Sequence, residues 1–121
     1  MEFISVVITS CNRPDLLEKT LASFFKFNTY PIKKVIIIDD SGKKGCIDEA
    51  ATKIPKYIET HIIYNEQNLG QIKSIDKAYS AVETEYIFHC EDDWEFYNYG
   101  FIEKSLEILK SDDKIFCVWL R

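Results

Sequence analysis

Three consecutive carboxylates, Glu91, Asp92 and Asp93, stand between the apolar run "YIFHC" and Trp94. At neutral pH such neighbours repel one another, so a fold that keeps them together must set a positive charge against them. A hard divalent cation prefers oxygen ligands of this kind and in turn binds diphosphates. A second acidic pair, Asp39 and Asp40 in "KVIIIDDSG", follows another apolar run. A third run ends in "TSCNRP", which supplies Thr9, Asn12 and Arg13. An Asp-Ser-Gly sequence after a strand also serves to cap a helix or shape a turn. Capping uses one carboxylate and leaves the second repelling it, so two Asp-Asp pairs at strand ends point toward a cation.

Five short apolar runs rich in β-branched residues must position these groups: residues 3–9, 34–38, 61–64, 86–90 and 115–119. They are continuous rather than alternating, as strands buried on both faces are. Between them lie segments with helical spacing. After Pro14 come Leu17, Leu21, Phe24 and Phe25; a short stretch with Ile47, Ala50, Ala51 and Ile54 stops at Pro55. Ile72, Ile75, Tyr79 and Val82 form a stripe after Gly70, and Phe101, Ile102, Ser105, Leu106 and Leu109 form the last. The alternation predicts an α/β fold, a mostly parallel sheet with helices on both faces. Ligands bind beyond the carboxyl ends of such strands. Thr9, Asn12, Arg13, Asp39, Asp40, Glu91, Asp92 and Asp93 are therefore expected to converge on one crevice.

Composition narrows the classes of function. A chain of 121 residues fits one domain, with 46% hydrophobic and 14% aromatic residues. Its 15 basic and 20 acidic residues give a net charge of −5, and no basic stripe follows a phosphate backbone, which argues against nucleic acid. Cys11, Cys46, Cys90 and Cys117 stand far apart without a C-x-x-C, so neither zinc nor a disulfide framework is suggested. No segment has the length of a membrane span and the start carries no basic n-region, which predicts a cytoplasmic protein.

Four blocks, "VVITSCNRPDLLEKTLASF", "KVIIIDDSG", "NLGQIKSIDKA" and "YIFHCEDDWEF", together resemble the nucleotide-sugar-binding half of family 2 glycosyltransferases of the GT-A fold, over nearly the whole chain. The resemblance implies a Rossmann-like GT-A domain over residues 1–121, a nucleotide-diphosphate sugar donor, Mg2+ or Mn2+, and transfer with inversion to an acceptor hydroxyl. By position, Thr9 matches the residue that meets the base, and Asp39 the carboxylate that accepts a ring N–H of uracil or thymine, which favours UDP or dTDP sugars. Asp92 matches the position near the ribose and diphosphate, and Asp93, with Glu91, the metal motif, written here E-D-D rather than D-x-D. Asn12, Arg13 and Lys73 complete the donor-binding set. Arg13 reads equally as a solvated residue beside a helix start, and Lys73 as an exposed helical lysine.

Other positions carry a plainer reading beside the functional one. Asn68 and Gly70 suit a turn into the third helix. His61 and His89 lie in apolar runs where core histidines are common, and Trp94 either lines a sugar pocket or packs under its loop. Cys11 departs from the family, where many members carry Tyr to stack on the base. Such enzymes also need a further stretch with the general base and acceptor contacts, so that base is expected beyond Arg121, in a longer chain. Two rival readings remain: a nucleotide-sugar-binding module without transfer, and a receiver-type signalling domain. In the latter the acidic pair should follow the first strand, where "TSCNRP" stands.

Overall fold

The structure, a computed structural model, describes residues 2–120. The apolar runs form four strands, β1 (Ile4–Ser10), β2 (Ile32–Asp39), β3 (Glu59–Tyr64) and β4 (Ile87–Glu91), in one parallel sheet of order β3-β2-β1-β4. Parallel neighbours need crossover connections. These run through α1 (Pro14–Phe27), α2 (Asp48–Ala51) and α3 (Gln71–Tyr79), and α4 (Phe101–Ser111) follows β4.

β1 and β2 are central, and Val6, Val7, Val35, Ile36, Ile37 and Ile38 are fully buried. Strand alternation divides their side chains between the faces. Val6, Ile8, Val35 and Ile37 meet Leu17, Leu21 and Phe24 of α1, Ala50 of α2 and Ile102 of α4. Val7, Ile36 and Ile38 meet Ala78 of α3. The first face is the thicker layer because the Phe24 ring gathers four others: Phe25 at 4.9 Å, Phe96 at 5.2 Å, Phe101 at 5.6 Å and Phe88 at 5.8 Å between centroids. That cluster joins α1, β4 and α4 around one buried side chain.

Three expectations need correction. Residues 115–119 form no strand: Phe116 is 93% exposed and Trp119 86%. An apolar run becomes a strand only with a ladder partner, and this one lies across a cavity from Ile87, Phe88 and His89 without bonding to β4. The stripe assigned to α3 is also rotated, since Ile72 is 79% exposed while Ser74 and Ala78 are buried. Small side chains at i and i+4 let this helix lie close over β1 and β2. His61, on edge strand β3, is exposed rather than a core residue. His89 is half-buried, its Nδ1 2.9 Å from the Tyr79 hydroxyl, and burial pushes its pKa down.

Asp40 ties β2 to the start of α3. Its Oδ1 accepts from the Leu69 N–H and from Asn65 Nδ2, both at 2.7 Å, and its Oδ2 from the Gly70 N–H at 2.9 Å. Asn65 Nδ2 also donates to Ser74 Oγ, and Asn68 Nδ2 to the Asp40 carbonyl. Gly70, at φ 90°, takes a conformation closed to most residues and lets both loop N–H groups face one carboxylate. Burial alone would raise the Asp40 pKa; the bonds from Leu69, Asn65 and Gly70 outweigh it and hold it below the usual carboxylate range.

Two outcomes follow for stability. Phe24→Ala should cost about 3–5 kcal/mol in urea unfolding, as large core truncations do, whereas Phe116→Ala should stay within about 0.5 kcal/mol. A large loss from Phe116→Ala would show that the tail is packed. Because the folded pKa of Asp40 is depressed, its contribution is present above about pH 4, the unfolded carboxylate value, and disappears as pH falls through the lower folded value. Asp40→Asn should be less stable at neutral pH by about 1–3 kcal/mol and lose less on acidification than the parent. Parallel stability curves between pH 7 and pH 2.5 would count against this assignment.

Candidate functional site

Pro14 starts α1 with its φ already helical, and Arg13 precedes it as the N-cap. Arginine has no acceptor with which to cap helix N–H groups, and its side chain turns instead to the end of β4. There Nε donates to Asp92 Oδ2 at 3.1 Å and Nη2 donates to Oδ1. This fork grips both oxygens of a carboxylate that is fully buried, while the Arg13 side chain stays half-exposed. The bond to Asp92 and its charge raise the Arg13 pKa further.

The same helix holds the turn beyond Asp92. The Thr20 hydroxyl lies 2.8 Å from the Asp92 carbonyl and 2.7 Å from that of Trp94, and donates to this pair. Ser23 Oγ accepts from the Phe96 N–H at 3.0 Å. Arg13, Thr20 and Ser23 thus clamp residues 92–96, while the Asp92 N–H continues the ladder to the Thr9 carbonyl. Trp94 packs against the core cluster beneath this turn, its ring 6.1 Å from that of Phe96.

Asp39 occupies the adjoining strand end, also fully buried. Its Oδ2 accepts from the Asn12 N–H at 2.9 Å, and its Oδ1 from the Ser41 N–H at 3.0 Å and the Ser41 hydroxyl. Asn12 sits at φ 49°, a left-handed conformation that asparagine tolerates better than most residues, and this turn aims its N–H at Asp39. Burial would raise the Asp39 pKa; the Ser41 and Asn12 bonds prevail and lower it. Cys11, though exposed, lies in the field of Asp39, Asp40 and Asp92, and partial desolvation with these charges raises its thiol pKa.

The expected convergence is therefore partial. Asn12, Arg13, Asp39 and Asp92 come together on the α1 side of the edge. Strand alternation places Thr9, half-buried, on the opposite face with Val7, in register with Glu91 and Ile38. Glu91 faces α3 and accepts from Gln71 Nε2 at 3.1 Å. Asp40 is withdrawn into its structural knot, which corrects its expected place in the crevice: Asp39 and Asp40 point to opposite faces and each has its own N–H donors. No cation is needed to keep them adjacent. Lys73 is exposed, with no hydrogen bond or ion pair among the described residues. Asp93 is exposed and its carboxylate accepts no hydrogen bond among them. Thr20, Ser23, Ser41 and Gln71 were not anticipated from sequence; only their hydroxyl or amide chemistry near the motifs signalled them.

Among the described residues no three His, Cys, Asp or Glu side chains surround a point where a metal could sit. A closed protein cage is therefore not the arrangement here. Mg2+ and its like bind through one or two protein carboxylates when a diphosphate supplies further oxygens. Asp93, unbonded and exposed, with Glu91 two residues before it, fits that open donor set.

Comparison with known proteins agrees with this architecture. No curated protein matches the chain by sequence. Among solved structures, the mannosyltransferase PcManGT from Pyrobaculum calidifontis, in complex with GDP-Man and Mn2+, superposes with a TM-score of 0.77 at 15% identity over 92% of this chain and 33% of that one. TarS of S. aureus in complex with UDP-GlcNAc gives 0.72 at 18% identity over 89% of this chain and 31% of that one. The chain thus spans about a third of the length of these relatives and shares the fold of the corresponding part, a GT-A glycosyltransferase fold. The family model "Glycosyl transferase family 2" matches residues 5–121, and the chain belongs to that family.

Proposed function

We propose that this chain binds a nucleotide-diphosphate sugar and forms the donor-binding part of a glycosyltransferase that moves the sugar, with inversion, to an acceptor hydroxyl. The observation that carries the reading is the pair of anchored carboxylates at one sheet edge. Asn12 holds Asp39 and Arg13 holds Asp92, while neighbouring Asp93 is left exposed and unbonded. The complexes of the relatives, one with GDP-Man and Mn2+ and one with UDP-GlcNAc, support a donor of this class.

Asp39 would select the base. Its Oδ2 accepts one N–H within the protein, which leaves a lone pair that a ring N–H of uracil or thymine would reach once the base uncovers this buried carboxylate; guanine also offers such an N–H, and adenine offers none. Thr9, Asn12 and Lys73 would line the path of the nucleotide, and Asp92 would stand on the ribose side with its carboxylate held in the Arg13 fork. Asp93, with Glu91, would hold the Mg2+ or Mn2+ that stabilises charge on the departing nucleotide diphosphate. No residue among the described ones is assigned the role of general base. Among the described residues no helix is long and apolar enough to cross a membrane. Four free cysteines support a reducing, cytoplasmic setting. A binding module without transfer shares every one of these features and would differ only in lacking turnover in its longest natural form.

Calorimetry with Mn2+ should show UDP, dTDP or GDP binding at least about tenfold tighter than ADP, a difference of about 1.4 kcal/mol. Equal affinity for all four would sink the role of Asp39. Asp93→Asn should lose most of the Mn2+-dependent part of that affinity with no drop in melting temperature, since it removes a like charge beside Asp92 and Glu91. Retained metal dependence with a lower melting point would instead make Asp93 a structural residue.

A further inference from the structure

Both tryptophans of the chain, Trp94 and Trp119, line one cavity of about 520 Å3 between α4, the turn after Asp93 and residues 118–120. Phe96, Tyr97, Tyr99 and Phe101 complete its aromatic wall, and the donor-binding set includes none of them. The floor is fixed: the Phe96 and Phe101 rings stack at 4.8 Å, and Tyr99 meets Phe27 of α1 edge-on at 5.1 Å. Thr20 and Ser23 hold the backbone of Trp94 and Phe96, and Gly100, at φ 80°, turns the loop into α4. The outer rings nevertheless stand in solvent, Tyr97 at 77% and Trp119 at 86% exposure. Glu95, Asn98 and Lys104 line the rim. The Tyr97 and Tyr99 hydroxyls, the Glu95 carboxylate and the Lys104 ammonium make no hydrogen bond or ion pair among the described residues, and Asn98 uses only its Oδ1, on the Tyr99 N–H.

We propose that this cavity seats a pyranose ring of the acceptor, so that the molecule receiving the sugar is itself a glycan. A pyranose offers a face of C–H groups, which packs on the negative faces of aromatic rings, and a rim of hydroxyls that both donate and accept. The cavity presents the counterpart of each. Ring faces form its wall, and at its rim stand a carboxylate that accepts, an ammonium and an amide NH2 that donate, and phenols that do both. Its volume lies within the range of small-molecule sites, about 300–1,000 Å3. Its place fits as well, because Trp94 and Glu95 directly follow Asp93, the carboxylate assigned to the cation. The inference rests on the donor-binding reading above and names the class of its second substrate. Other occupants match the lining less well. An anionic lipid surface needs clustered basic side chains, whereas Lys104 shares its surroundings with Glu95 and with Glu103 beside it on α4. A lipid tail or the apolar face of a second copy would bury the rim's polar groups without hydroxyls to satisfy them.

Because both tryptophans lie in the wall, their fluorescence reports occupancy directly. The chain is titrated with cellobiose, mannobiose, lactose and chitobiose, which cover gluco, manno, galacto and N-acetylamino rings, each with and without Mn2+ and UDP. UDP-glucose and vesicles of phosphatidylcholine with phosphatidylglycerol are titrated beside them, and saturation-transfer NMR repeats each disaccharide. At least one disaccharide should change the emission saturably and receive saturation from the protein. Tyr97→Ala should weaken that binding by about tenfold, the loss of a stacked ring. Tyr97→Phe should weaken it by about threefold, the loss of one hydroxyl hydrogen bond. Phe116→Ala, which removes an exposed aromatic outside this cavity, should leave it unchanged. Tyr97 is exposed, so its variants should melt with the parent. No response to any disaccharide would overturn the proposal, as would a response that Tyr97→Ala leaves intact. A response to UDP-glucose alone, reversed by UDP, would give the cavity to the donor's own sugar and overturn the acceptor assignment. A response to vesicles alone would give it to lipid and overturn it equally. Disaccharide binding without binding of any nucleotide diphosphate would sink the donor-binding reading and leave the sugar site standing; nucleotide binding without disaccharide binding would do the reverse.

Discussion

A fully buried carboxylate at the end of an edge strand is the constraint around which this domain is arranged. Leaving Asp92 ionised inside the protein would cost several kcal/mol without a partner, and β4 has none of its own to offer. The partner comes from the first turn of α1, at the opposite end of the chain segment that folds over the same face. Once that pair forms, Thr20 and Ser23 follow on the same helix and bind the backbone of the next residues. The Phe24 ring cluster then closes beneath them. Helix α1, the longest helix of the described chain, is thus both core and support for the site.

Adjacent residues serve opposite purposes at the end of β2. Strand alternation sends Asp39 toward α1 and Asp40 toward α3, so identical side chains one position apart enter different networks. Asp39 fixes Asn12, the residue before Arg13, and Asp40 fixes the turn into the helix that carries Gln71 and Lys73. The two halves of the crevice are therefore anchored by one dipeptide. Each anchor relies on backbone N–H donors, which cannot be removed by substitution of the donor residue except by proline.

Sequence patterning reveals the strand-helix alternation, the four paired strands and the site edge because continuous β-branched runs and helical stripes are local signals. The parts that were not legible are non-local. Nothing in "CNRP" says that Arg13 meets Asp92, since that contact depends on the sheet order placing β4 beside β1. Charge repulsion between Asp39 and Asp40 looked like a demand for a cation because the sequence does not display the N–H groups of Asn12, Ser41, Leu69 and Gly70. The run at 115–119 has the composition of a strand, but strand formation depends on a partner that composition does not supply. On α3, hydrophobicity pointed to Ile72 and Tyr79, whereas close approach to the sheet selected Ser74 and Ala78 for their size.

The strand order also dictates a sequence of events in time. β1 pairs with β2 and β2 with β3 across short crossovers, but the other edge of β1 must wait for β4, whose first residue lies 79 positions further along than Thr9's neighbour Ile8. During synthesis from the N-terminus, Arg13 and the apolar edge of β1 are therefore unpartnered while three strands are already able to assemble. Long-range parallel pairing of this kind is slow to form and open to competing contacts. The last strand to pair is the one that leads into Asp92 and Asp93, so a nascent chain acquires most of its sheet before its chemistry.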